Sequence, residues 1–93
     1  MFDKMKQLME FKKQAEQAKK ELEQTLLEVE GAPGIRIRID GSQILRGIDI
    51  DPGRLADSPK DALERDLLKA VNAAIQQSQA AAAKRMSSMI PQF

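Results

Sequence analysis

The sequence contains no cysteine, histidine, tryptophan or tyrosine, and only three phenylalanines among its 93 residues. Without cysteine there is no disulfide framework and no thiolate nucleophile. Without histidine as well, the imidazole base and the usual zinc ligand sets are excluded. Stacking platforms for unpaired bases are built from aromatic rings, and this chain has too few to build one. It has no apolar run long enough to span a bilayer and no signal-type apolar segment near its start. These absences lead to the expectation of a soluble intracellular chain, non-enzymatic, with no cofactor, no metal, no small-molecule substrate and no membrane partner.

What remains is charge and aliphatic bulk. Charged residues make up 31% of the chain, yet the formal net charge is only +1. Six lysines (Lys4, Lys6, Lys12, Lys13, Lys19 and Lys20) are crowded into the first twenty residues. A core of Ile, Leu, Val, Met and Ala in so short a chain is thin, and pairing with a second copy would complete it.

The hydrophobic pattern predicts α-β-β-β-α, an α+β fold with a three-stranded antiparallel sheet, in one domain spanning residues 1–93. A helix is expected over residues 3–24, since Met1, Leu8, Ala15 and Leu22 recur every seven, with Lys4, Phe11, Ala18 and Thr25 as their companions. Met5 and Met9 widen that seam near its start. Strands are expected at 25–31, 34–40 and 43–50. In `IRIRID`, Ile35, Ile37 and Ile39 face one way while Arg36, Arg38 and Asp40 face the other. The Asp40, Gly41 pair signals a type I′ hairpin. Gly47 permits a bulge that would align Leu45, in place of Ile44, with Ile48 and Ile50. A second helix is expected over 58–89, with Ser58 as N-cap, Pro59 at its first position and a fraying end in `SSMIPQF`. Asp49 and Asp51 do not make a calcium loop, because Lys60 stands where the bidentate Glu is needed. They precede a Pro-Gly turn.

Helices of over 30 Å cannot lie wholly on a sheet about 14 Å wide, so parts of both should project. The first half of the first helix and the second half of the second are expected to pack together as an arm. Residues 1–13 carry Lys4, Lys6, Lys12 and Lys13 against Asp3 and Glu10, and residues 76–93 carry Lys84 and Arg85 with no acid. The arm is therefore +4 and the remainder of the chain −3. Lys19 and Lys20 are within helical reach of Glu16 and Glu23 and read as a solvated, paired face. A stripe of unmatched cations on a projecting arm suits a polyanion, bound through phosphate contacts. Arg36 and Arg38 either add a second basic patch or guard an edge strand. The other reading of the arms is a protein-interaction module that grips a partner helix.

The segments `MKQLMEFKKQAEQAKKELEQTLLEVEG`, `RIDG`, `IDPGRLAD`, `LERDLLKAVNAA` and `AKRMSSM`, taken in order, resemble the YbaB/EbfC family of bacterial nucleoid-associated proteins. The resemblance implies a tweezer-like homodimer that binds double-stranded DNA with limited sequence preference, in the cytoplasm on the nucleoid, contributing to chromosome organisation and gene expression. It implies DNA contacts from the projecting parts of the first and last helices, here Lys4, Lys6, Lys12, Lys13, Lys84 and Arg85. The connection `EGAPGI` and the tail are shorter than the family commonly has.

Overall fold

The computed structural model describes residues 2–89. Helix α1 (Phe2–Gln24) leads into a meander of β1 (Leu26–Ala32), β2 (Ile35–Asp40) and β3 (Leu45–Ile50). A short α2 (Pro52–Asp57) and a thirty-residue α3 (Lys60–Met89) follow. The sheet is antiparallel in the order β1-β2-β3. Met1 of the heptad seam and the tail beyond Met89 lie outside the described residues.

The alternation in β2 decides which face is buried. Ile35, Ile37 and Ile39 are fully buried, and Val29 and Ala32 of β1 join them beneath Ala70 and Ala74 of α3. Small residues let the helix backbone come close. A Cβ at Gly31 would stand 2.4 Å from the Ala70 Cα, so only glycine permits this contact. Helix α3 lies over β1 and β2, while β3 is left at the edge. Ile48 and Leu45 pair in register with Ile37 and Ile39 and therefore share their face, yet Ile48 remains 48% exposed. The bulge falls where Gly47 suggested. Arg38 pairs with Gly47 and Ile39 with Leu45, so Arg46 is the extra residue.

Two local expectations are corrected. The Asp40, Gly41 pair does not form a type I′ turn, because the residue with positive φ in this loop is Gln43, at 69°. The loop is longer. Gln43 N–H donates to the Asp40 carbonyl at 3.2 Å and Asp40 N–H to the Ile44 carbonyl at 3.0 Å. The Asp40 carboxylate, by bonding ahead into the loop, replaces the tight turn.

A separate short helix also precedes the expected second one. Asp51 and Pro52 are not a turn but the N-cap and first position of α2, the place where proline's fixed φ suits a helix. Ser58 closes α2, its N–H donating to the Arg54 carbonyl at 3.1 Å. The Pro59 carbonyl then accepts the first bond of α3, from Leu63 N–H at 3.0 Å. Proline thus precedes the helix instead of occupying its first turn.

The radius of gyration, 18.4 Å, is well above the roughly 12 Å of a compact chain this long, and the extents are 66 × 22 × 15 Å. Ile37→Asp should abolish folding, since an unpaired carboxylate at a fully buried site costs several kcal/mol. Loss of the cooperative thermal transition by circular dichroism checks this. A variant that still melts cooperatively would overturn the assignment of the buried face.

Candidate nucleic-acid interface

The elongation begins at the β2 to β3 loop, which ties three elements together. Asp40 is 1% exposed. Its Oδ1 accepts from Ser42 N–H at 2.8 Å, Ser42 Oγ at 2.7 Å and Ile44 N–H at 3.2 Å. Its Oδ2 accepts from Arg46 Nε at 2.9 Å and Nη2 at 2.8 Å. The Ser42 hydroxyl foremost, with the backbone N–H groups and Arg46, lowers the carboxyl pKa to about 2 against the opposing effect of burial. Gly41 N–H caps the end of α1, donating to the carbonyls of Leu22 at 2.7 Å and Thr25 at 3.0 Å. A Cβ there would meet the Leu22 carbonyl oxygen at 2.9 Å. From the other side Ser78 of α3, fully buried, donates to the Asp40 carbonyl at 2.7 Å and accepts from Gln43 N–H at 3.0 Å.

From this junction α1 and α3 leave the sheet side by side. Ala18 is buried between them, and Arg85 Nε donates to Glu21 Oε2 at 2.9 Å. Further out Met89 faces Leu8 and Phe11 across an open groove that Lys4 also lines. Counted from the junction, eleven residues of each helix reach this level, and the first two turns of α1 extend beyond it. The expected arm therefore differs from what forms. The close packing uses the second half of α1, at Ala15, Ala18 and Leu22, while Met5, Leu8 and Met9 stand exposed.

The six candidate cations separate into two groups. Lys4, Lys6, Lys12 and Lys13 are exposed on the outer half of α1. Lys84 and Arg85 flank Glu21, Leu22 and Thr25 near the junction. Arg85 is not unmatched, for Glu21 and the Ser88 hydroxyl hold its guanidinium. Lys19 and Lys20 form no ion pair within 4 Å among the described residues, so the expected pairing with Glu16 and Glu23 is not formed. On the outer sheet face Arg36 is opposite Asp49 and Arg38 opposite Glu28. With acids alongside, that face is no second basic patch. Ser78 was missed in the sequence, although it falls four residues after Ala74 on an otherwise apolar stripe. Also missed was Arg54, which bridges from α2 to Asp66 of α3.

The described residues hold no cluster of potential metal ligands and no helix long and apolar enough to cross a membrane. A model of the YbaB/EbfC DNA-binding family matches residues 1–93. The chain belongs to the YbaB/EbfC DNA-binding family. Among solved structures it is similar to the uncharacterized protein HP0035 from Helicobacter pylori, with a TM-score of 0.82 and 19% identity over 98% of each chain. That likeness shows the shared fold. No curated protein matches.

Ser78→Ala should cost about 1–3 kcal/mol, because Gln43 N–H and the Asp40 carbonyl lose their buried partner. Chemical denaturation measures it. The Asp40 carboxyl titrates lower folded than its ordinary value of 3.8, so its stabilising contribution is complete above that value. The contribution is lost as pH falls toward about 2. Asp40→Asn should remove this part of the acid dependence, and an unchanged stability profile between pH 4 and about 2 would refute it.

Proposed function

We propose that the chain is a nucleoid-associated protein of the cytoplasm that binds double-stranded DNA as a homodimer, mainly through phosphate contacts from its projecting helices. The observation that carries this reading is the outer half of α1. It projects with Lys4, Lys6, Lys12 and Lys13 exposed, in a chain that belongs to a DNA-binding family. Lys84, nearer the sheet, is exposed as well and adds a further cation to the arm. Arg85 braces the arm through Glu21 and offers DNA only part of its guanidinium. An outer sheet face of alternating sign favours the arms over the sheet as the contact surface.

The open side of β3 supports the homodimer. Its Leu45, Ile48 and Ile50 continue the core face but lack a covering helix. Exposed apolar surface that prolongs a core is a surface for association. A second copy placed there would complete the thin core and present two arms to one duplex.

Anisotropy titration of a 30-base-pair random duplex across salt tests the binding. The parent should bind at micromolar concentration or tighter with a steep negative salt slope. Replacing Lys6, Lys12, Lys13 and Lys84 with Gln should reduce that slope by about 0.9 per lost phosphate contact, with the helical signal unchanged. An unaltered affinity would refute the arm assignment. Ile48→Asp should give a monomer in analytical ultracentrifugation, and a dimer of undiminished stability would place the interface elsewhere.

A further inference from the structure

The exposed methionines of α1 are not part of the seam that faces α3. At about 100° per residue, the centre of Met5 and Met9 lies about 130° around the helix from that of Ala15, Ala18 and Leu22. Met5 is 65% exposed and Met9 71%. An α3 lying against the seam could not cover them. They form a short apolar column, and its neighbours are unusual. Lys12 lies about 40° to one side of its centre, and Lys13 and Lys6 lie about 60–80° to the other. Seven residues after Met9, on the same line, Glu16 ends the column with an acid.

The geometry points to the outer end of α1 entering the major groove of duplex DNA, with Met5 and Met9 against thymine methyl groups at the groove floor. The inference rests on the DNA-binding function proposed above and deepens it. A major groove about 12 Å wide admits an α-helix. A helix lying there meets base edges along its centre line and a phosphate strand on each side, which is the order cation, apolar, cation found around this segment. The thymine methyl is the apolar group that the groove displays. Methionine's flexible thioether chain can reach it without a fixed hydrogen-bonding geometry. Glu16 sets the depth of entry, because a carboxylate on the same line would meet phosphate repulsion. The contact is thus confined to the first three turns. Readout of this kind favours thymine-containing tracts while leaving the salt dependence to the lysines.

The experiment compares the full chain on two duplexes of one sequence, one with thymine and the other with deoxyuridine, which lacks only the methyl groups. The parent should bind the thymine duplex more tightly, by about fourfold for each methyl group covered. The double variant Met5→Ser, Met9→Ser should bind both duplexes alike and keep the parent's salt slope, with its helical signal intact. Equal affinity of the parent for the two duplexes would overturn the groove contact while leaving phosphate binding standing. A double variant that still discriminates would overturn it as well. A double variant of smaller oligomeric state would assign the column to a contact between copies, which also overturns it. If neither duplex is bound at low salt, the DNA-binding proposal itself fails.

Discussion

The arrangement of the molecule depends on one buried carboxylate. Asp40 holds five hydrogen-bonding contacts with its own loop and Arg46 of β3, and that loop in turn receives the end of α1 through Gly41 and the middle of α3 through Ser78. Helix α3 also rests on β1 and β2 through the core, but α1 meets the sheet in few other places. Between the two long helices, burial at Ala18 and the ion pair of Arg85 with Glu21 are the main additional ties. An exposed ion pair of this type contributes little, typically under about 1 kcal/mol. The direction in which α1 leaves the sheet is therefore set at the loop, where the bonds are buried and directional.

The parts of this fold that were legible in the sequence are those written as periodicity. The alternation of Ile35, Ile37 and Ile39 shows the buried face, and Gly47 announces the bulge that aligns Leu45. Projection of the helices follows from length alone. The parts that were not legible depend on tertiary contact. Gly41 resembles a residue chosen for a turn conformation, whereas its role is to admit the backbone of Leu22. Ser78 resembles a surface residue in a Gln- and Ala-rich run. Only the approach of the loop makes it a buried link. Proline at 52 and at 59 each fits a helix start, and spacing by itself does not indicate that the first begins a separate six-residue helix.

For the candidate interface, residue type and exposure were predictable, and partnership was not. Arg85 and Lys84 are adjacent in sequence and alike in charge, yet Glu21 engages one while the other forms no ion pair within 4 Å among the described residues. The heptad count placed Met5 and Met9 at the margin of the seam. The structure puts the margin in solvent, because Met89 comes level with Leu8 and Phe11 on the opposite flank. A thin sheet with an uncovered edge strand and a half-exposed helix tip has its apolar surplus at two separate ends.

Distance from the junction has a mechanical consequence. Met5 stands seventeen residues from Leu22, roughly 26 Å along a rigid helix, so a rotation of about 10° at the loop displaces it by about 4–5 Å. That is a little more than the 3.4 Å rise of one base-pair step. Changes the size of a single methyl group around Ser78 or Gly41 thereby become changes in reach at the far end. Relatives sharing the same charged residues could differ in the span they present merely through how their loop seats against the helix.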